Sequence, residues 1–244
     1  METERNQTHT TKYTSNDGMR VIKRSNEAYN IAVDCLLQLK ENVKNRSFEQ
    51  TKEKNIALLF LTYDNIYFQN IYNDYFDKCN VYIHPKEPKK IIEQNRKYII
   101  SNVVSTEWGK GGIVNATIEL LKESYKNENN QWFILLSQDA FPLFSATQLT
   151  DFLDSKKKSM FSVVNTKTEK FKASLNGRDV PLYKSSQWWC INRKDVGLIL
   201  ENYEKFKFVG KVQEGAHDEY YFLTLLRGIN TKYEFVDFDF MYVD

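Results

Sequence analysis

The chain has 244 residues, with 34 basic and 32 acidic side chains and a formal net charge of +2. This near balance argues against a dedicated nucleic-acid binder, which usually carries a strong basic excess. The hydrophobic fraction of 41% is enough for a core. The three single cysteines, Cys35, Cys79 and Cys190, give neither a disulfide framework nor metal-ligand spacing, so we interpret them as buried free thiols in a reducing compartment.

The first part of the chain differs in composition from the rest. Residues 1–25 are polar and predict a disordered tail. Residues 26–55 contain a helical pattern at 27–43, followed by a charged linker. The sequence has no signal-peptide core, and no apolar run is long enough to span a bilayer. These features predict a cytoplasmic protein without a transmembrane segment.

Residues 56–244 alternate between two kinds of pattern, beginning with the continuous apolar run at 56–61. The predicted strands are 56–61, 81–84, 98–104, 131–136, 159–164, 187–191 and 233–238. The predicted helices are 66–77, 113–125, 195–203 and 218–227. This alternation predicts one α/β domain with a largely parallel central sheet flanked by helices.

Polar side chains occur where three predicted strands end, and ligands of open α/β sheets bind beyond such carboxyl ends. Thr62, Tyr63 and Asp64 end the first strand, His84 ends the second, and Ser137, Gln138 and Asp139 end the strand that starts near Trp132. Two alternatives stay open. Asp139 caps the turn or a helix near Thr147, or His84 is a hydrogen-bonded structural histidine.

Two further segments carry candidate functional groups. In Lys184-Ser185-Ser186-Gln187-Trp188-Trp189 the adjacent tryptophans point to opposite faces of a strand, so one joins the core while the other faces a cleft, or both pack in the core. Asp218 and Glu219 precede an apolar helical run. They either stabilise a helix N-terminus or present a general base there.

These residues together resemble the core-2/I-branching β-1,6-N-acetylglucosaminyltransferase family, which is related to the xylosyltransferases. The resemblance covers residues 56–244 and keeps the family's order. It is carried by Ile56–Thr62, Val81–His84, Thr106–Gly109 with the helix that follows, Trp132–Leu143, Lys184–Trp188 with Arg193 after it, and Asp218–Glu219.

The resemblance implies a glycosyltransferase-A-like fold, inversion at the anomeric carbon, no cofactor and no essential metal. The single Asp139, in place of a metal-binding Asp-x-Asp pair, agrees with this, and we attribute the Asp237-Phe238-Asp239 spacing to chance. The implied donor is a UDP-sugar, with N-acetylglucosamine as the sugar, and the implied acceptor is a carbohydrate or glycoprotein. The implied donor-binding residues are Thr62, Tyr63, His84 and Asp139, with Arg227 and Lys232 as candidates for the diphosphate. The implied acceptor-binding residues are Trp108, Lys184, Ser185, Ser186, Gln187, Trp188 and Asp218.

An inverting transfer needs one carboxylate to remove the proton of the acceptor hydroxyl. The resemblance places this base two residues ahead of a Pro-aliphatic-aromatic step. The step is Pro181-Leu182-Tyr183 here, and Asp179 therefore takes the base position, one methylene shorter than the family's Glu. Glu219 and Asp139 are the alternatives. Two other functions stay open: a related xylosyl- or other glycosyltransferase, and a catalytically inactive sugar-nucleotide or glycan-binding module.

Overall fold

The computed structural model of the chain describes residues 54–106, 111–164, 171–210 and 217–238. The predicted N-terminal tail, the predicted helix at 27–43, nearly all of the charged linker, Cys35 and Trp108 lie outside the described residues. No helix in the described ranges is both long enough and apolar enough to cross a bilayer.

Within the described ranges the chain forms nine strands and five α-helices. The strands are β1 (Ile56–Thr62), β2 (Asn80–Pro85), β3 (Trp132–Ser137), β4 (Met160–Val163), β5 (Phe171–Leu175), β6 (Arg178–Val180), β7 (Ser185–Asn192), β8 (Phe206–Gly210) and β9 (Val236–Asp237). The α-helices are α1 (Gln69–Lys78), α2 (Gly112–Tyr125), α3 (Ala146–Lys156), α4 (Arg193–Asn202) and α5 (His217–Ile229). Short 3-10 helices occupy Pro88–Lys90, Glu93–Tyr98 and Tyr203–Lys205.

The central sheet has six described strands in the order β2-β1-β3-β7-β4-β9. Strand β1 is parallel to β2 and β3, and β4 is parallel to β9, whereas β7 is antiparallel to both of its neighbours. The fold is therefore a mixed α/β fold with a mainly parallel central sheet, consistent with a glycosyltransferase-A-like domain, as the sequence predicted. Asn192, the last residue of β7, pairs with Trp132, the first residue of β3. Because the two strands are antiparallel, β7 begins near the carboxyl end of β3.

Helices cover both faces of this sheet, which explains the continuous apolar runs of β1 and β3. On one face Leu59 packs in a cluster with residues of α2, α4 and α5. On the other face Phe60 packs in a cluster with residues of α1 and α3. Cys79 and Cys190 are buried free thiols, as predicted. Burial raises the pKa of the Cys79 thiol to about 12.

One predicted strand is absent, and another is shorter than predicted. Residues 98–104 do not form a strand. A 3-10 helix ends at Tyr98, and only Ile99 bridges to Ile83 of β2. The next residues turn to α2 instead, because the side chains of Ser101 and Asn102 bond to carboxylates of that helix. The closing strand predicted at 233–238 is only the two residues of β9.

A second, three-stranded sheet in the order β6-β5-β8 was not predicted. Strands β5 and β6 form a hairpin in which Leu175 pairs with Arg178. The two loop residues, Asn176 and Gly177, have φ values of 52° and 78°. An Asn-Gly loop with both φ values positive is the preferred two-residue hairpin turn. The dipeptide was therefore a readable signal for this hairpin. Helix α3 was likewise not among the elements predicted from periodicity.

Candidate functional site

The carboxyl ends of β1, β2 and β3 form a continuous rim, as the sequence predicted. The carbonyl of Thr62 accepts a hydrogen bond from the Lys86 backbone N–H at 2.8 Å, and the carbonyl of Tyr63 accepts one from Glu87 at 2.9 Å. The Tyr63 N–H donates to the side-chain oxygen of Gln138 at 2.6 Å. These bonds join three loops that are far apart in sequence. We call this surface, formed by residues 62–64, 84–90 and 137–139, the rim.

Two of the predicted donor-binding residues in the rim, Thr62 and His84, are buried and form hydrogen bonds within the protein. The buried Thr62 hydroxyl donates to the Asp64 carbonyl at 2.8 Å. His84 is 1% exposed, and its Nε2 accepts a hydrogen bond from the Val104 N–H at 3.0 Å. Its Nδ1 has no hydrogen-bond partner among the described residues. Burial lowers the pKa of His84. The contact with Val104 supports the alternative of a structural histidine.

Two other rim residues, Tyr63 and Asp139, present their side chains to solvent. The Tyr63 side chain is 47% exposed, and Asp139 is exposed. Helix α3 is capped by Ser145, whose hydroxyl accepts from the Gln148 N–H in a capping box. The alternative that Asp139 caps this helix is therefore wrong. In the described ranges the Asp139 carboxylate accepts no hydrogen bond and forms no ion pair.

A second polar group lies where β7 and α5 begin. Lys184 Nζ lies 2.9 Å from Glu219 Oε2, and the Ser185 hydroxyl lies 3.5 Å from the Glu219 carbonyl. The Glu219 side chain keeps 33% of its surface exposed. The hydrogen bond to Glu219 raises the pKa of Lys184, and burial raises the pKa of Asp218. Both acidic residues stand in the first turn of α5, where the helix dipole favours negative charge.

The adjacent tryptophans of β7 differ in burial. Trp189 is fully buried, with its ring 5.1 Å from that of Phe222. Trp188 is half-buried and packs against the same core cluster. Ser185 is buried, and Ser186 and Gln187 are half-buried. An acceptor could therefore contact this strand only through the exposed parts of Ser186, Gln187 and Trp188.

Asp179 lies apart from the Lys184–Glu219 pair. Its side chain is 76% exposed, on β6 of the small sheet, 3.8 Å from Lys172. The next residue, Val180, packs against Gly228 in the last turn of α5. The nine residue steps from Glu219 to Gly228 correspond to about 13 Å along the helix axis. The family resemblance implied Asp179 as the base, but Asp179 lies near Lys172 whereas Glu219 pairs with Lys184.

The two cations predicted to meet the diphosphate also lie beyond the first turn of α5. The Arg227 guanidinium stacks 4.3 Å from the Tyr183 ring centroid, in the last turn of the helix. Lys232 is exposed in the turn that follows. Eight residues from Glu219 to Arg227 correspond to about 12 Å along the axis. Neither cation makes a described contact with the rim.

The remaining acidic motif has a structural role in the described part of the chain. Asp237 Oδ1 accepts a hydrogen bond from the Val163 N–H at 2.9 Å. Asp239, the third residue of the Asp-x-Asp spacing, lies outside the described residues. Among the described side chains, no group of three or more His, Cys, Asp or Glu could hold a metal ion.

The predicted strand-end residue Gln138 bonds to Tyr63, and its amide also donates to the Tyr67 hydroxyl at 2.6 Å. Sequence reasoning missed two residues of the rim, Lys86 and Lys90. Lys86 and Lys90 place their ammonium groups 5.6 Å and 5.0 Å from the Tyr63 ring centroid. The available signal was position, because both lysines lie within five residues of the end of β2.

Comparisons with known proteins agree with the fold. The family model described as Core-2/I-Branching enzyme matches residues 51–244. A curated rice protein (Oryza sativa subsp. japonica), "Glycosyltransferase BC10", is 26% identical over 109 residues. That stretch covers 43% of this chain and 27% of the rice protein, so the match spans about a quarter of the relative's length. Because the family match runs through every described strand and helix, the chain belongs to the Core-2/I-Branching enzyme family.

Proposed function

We propose that the protein is a glycosyltransferase that moves a sugar from a UDP-sugar to a hydroxyl group of a carbohydrate or glycoprotein acceptor, with inversion at the anomeric carbon. The observation that carries this proposal is the family match over residues 51–244. The rice relative, a glycosyltransferase by name, supports the same reaction class. We further propose N-acetylglucosamine as the transferred sugar and a reaction that needs neither metal nor cofactor. The cytoplasmic location stays a prediction.

We propose Glu219 as the general base, in preference to Asp179 and Asp139. A base must reach the acceptor hydroxyl, so geometry comes before pKa. Glu219 stands at the start of α5 beside the first residues of β7, and Lys184 fixes its carboxylate while a third of the side chain stays open. Asp179 sits on the solvent side of a separate small sheet, paired with the equally exposed Lys172.

The reaction then follows from one proton transfer and one displacement. The acceptor oxygen forms a bond to the anomeric carbon from the face opposite the diphosphate. Its proton passes to the Glu219 carboxylate as the bond forms. The bond between the anomeric carbon and the diphosphate oxygen breaks, and UDP leaves with that electron pair. Attack from the opposite face inverts the configuration.

The other candidate residues are assigned by exposure. Of the four predicted donor-binding residues in the rim, Tyr63 and Asp139 have side chains open to a donor, whereas Thr62 and His84 are buried beneath it. Ser186, Gln187 and Trp188 are the candidates for acceptor contact on β7. Ser185 and Asp218 support this surface through the first turn of α5.

A donor screen tests the proposal. Purified protein is incubated with UDP-N-acetylglucosamine, UDP-xylose and GDP-mannose, with and without a panel of oligosaccharide acceptors, and nucleoside diphosphate release is measured. We expect release from UDP-N-acetylglucosamine above the other donors, with an equal rate in EDTA. Activity that disappears in EDTA and returns with manganese would contradict metal independence. Binding of a UDP-sugar without turnover under any condition would favour the sugar-nucleotide-binding module instead.

A further inference from the structure

The rim carries an exposed aromatic ring flanked by two ammonium groups. Lys86 Nζ lies 5.6 Å from the Tyr63 ring centroid, and Lys90 Nζ lies 5.0 Å from it. The ring is nearly half exposed, and both lysines are exposed. Cation–π contacts at such open positions are weak. Weak attraction to the Tyr63 ring alone therefore does not explain why two ammonium groups lie close to it.

Backbone bonds hold this arrangement in place. The Lys86 N–H donates to the Thr62 carbonyl, and the Lys90 N–H donates to the Glu87 carbonyl at 2.9 Å. The Asn65 side-chain amide donates to the Lys90 carbonyl at 2.9 Å. The loops after β1 and β2 are thus joined on both sides of the ring. The spacing between the two lysines is set by the main chain, while their side chains stay open.

Neither lysine forms an ion pair with any carboxylate in the described part of the chain. Lys184, by contrast, forms an ion pair with Glu219. Two ammonium groups around one ring repel each other, and an anion with two charges would relieve that repulsion. Lysine binds phosphate as a compact point charge, and an exposed aromatic ring stacks on nucleic-acid bases regardless of sequence.

We propose that Lys86 and Lys90 bind the phosphate groups of the nucleotide donor while the Tyr63 ring stacks on its base. This inference rests on the proposed function and names the part of the molecule that meets the donor's diphosphate. In this proposal the loop after β2 binds the diphosphate, in place of Arg227 and Lys232, which lie beyond the first turn of α5. The ligand is a nucleoside diphosphate, because a planar base and two adjacent charges match one ring and two ammonium groups.

Calorimetric titration of the whole chain with UDP, uridine and inorganic pyrophosphate tests this subsite. We expect the wild type to bind UDP at least tenfold more tightly than uridine. The double substitution Lys86→Gln and Lys90→Gln should weaken UDP and pyrophosphate binding about tenfold or more and leave uridine unchanged. Lys89→Gln is the matched control, because Lys89 is exposed in the same 3-10 helix and has no described contact with the ring.

The base contact is tested separately. Tyr63→Ala should weaken uridine and UDP alike, and Tyr63→Phe should weaken neither. Equal UDP affinity of the wild type and the double lysine variant would overturn the subsite and leave the glycosyltransferase proposal intact. A wild type that binds no UDP would count against the UDP donor itself. The pyrophosphate titration then still decides for or against the lysines.

Discussion

The two ends of the central sheet use the same kinds of polar residue in opposite ways. At the end where β3 begins and β7 finishes, the buried Asp195 carboxylate accepts hydrogen bonds from Ser159, Tyr233 at 2.7 Å and Asn192 at 3.1 Å. At the rim, Asp139 is exposed and accepts no hydrogen bond from any described residue. Polar groups that are satisfied inside the protein hold elements together, whereas those left open can meet a ligand.

Arg193 extends the closed network at the first of these ends. Its guanidinium donates to the carbonyls of Tyr125, Asn127 and Asn130, at the end of α2 and in the loop after it. It also stacks 4.1 Å from the Tyr125 ring centroid. The family resemblance placed Arg193 directly after the acceptor strand. Antiparallel β7 instead carries it to the end of the sheet opposite the rim, where it anchors a helix terminus.

The largest expected effect concerns the partly open Glu219 carboxylate, in the first turn of α5. Glu219→Gln keeps the shape and removes the charge, so sugar transfer should fall about a hundredfold to ten-thousandfold. Asp179→Asn, the matched control, should transfer at a rate close to that of the wild type. Single-turnover UDP release measures both, and thermal unfolding confirms that each variant is folded. A large loss in the Asp179 variant together with an active Glu219 variant would restore the base position to Asp179.

Substitution of each tryptophan of β7 compares a fully buried position with a half-buried position on one strand. Trp189→Ala should lower the free energy of unfolding by about 3–5 kcal/mol, because it empties a packed site against Phe222. Trp188→Ala should cost less stability and raise the acceptor KM more than the donor KM. Urea unfolding and steady-state kinetics provide the two readouts. Equal stability losses, with an unchanged acceptor KM, would make both rings core residues.

A third pair compares the two aspartates directly. Asp195→Ala removes one acceptor that serves three side-chain donors, so the free energy of unfolding should fall by about 3 kcal/mol. Asp139→Ala changes an exposed side chain and should change it by less than about 0.5 kcal/mol. Denaturant titration at neutral pH measures both. A stability loss at Asp139 as large as that at Asp195 would show that the rim also depends on closed polar contacts.

The smallest expected effect concerns His84 beneath the rim. Burial lowers its folded-state pKa from the ordinary 6.5, so the unfolded chain binds more protons as pH falls through that value. The free energy of unfolding should therefore fall by about 1 kcal/mol from pH 7.5 to 5.5, within the limit of 1.36 kcal/mol per pH unit for one proton. Burial also lowers the pKa of His217. His84→Gln and His217→Gln should each reduce the dependence of the free energy of unfolding on pH. An unchanged pH dependence in the His84 variant would contradict the contribution assigned to His84.

Local patterns in the sequence predicted those features that depend on local structure. Strands β1 and β3 were predicted because two-sided burial requires a continuous apolar run. Residues 98–104 are rich in β-branched and aromatic residues, but they form no strand because their backbone is bonded elsewhere, as at Val104 to His84. The Asn176-Gly177 hairpin was readable from its turn residues and was overlooked.

The candidate site was predicted in part for a similar reason. The rule for parallel sheets predicted that the residues at the ends of β1, β2 and β3 meet at one edge, as they do. The pairing of Lys184 with Glu219 depends on the reversed direction of β7 and on where α5 packs. Periodicity carries no information on either. The positions of Lys86 and Lys90 around Tyr63 likewise depend on two loops that meet only in the folded chain.

The central position of β7 also has a consequence for synthesis of the chain. Phe133 of β3 pairs with Ile191, which the ribosome adds about 60 residues later. At roughly 5–20 residues per second, the nascent protein presents one unpaired edge of an apolar strand for about 3–12 s. Such edges invite association with other chains. We expect stalled nascent chains that end before residue 185 to be cleaved by protease near β3 and to recruit chaperones, and released full-length chains to resist both.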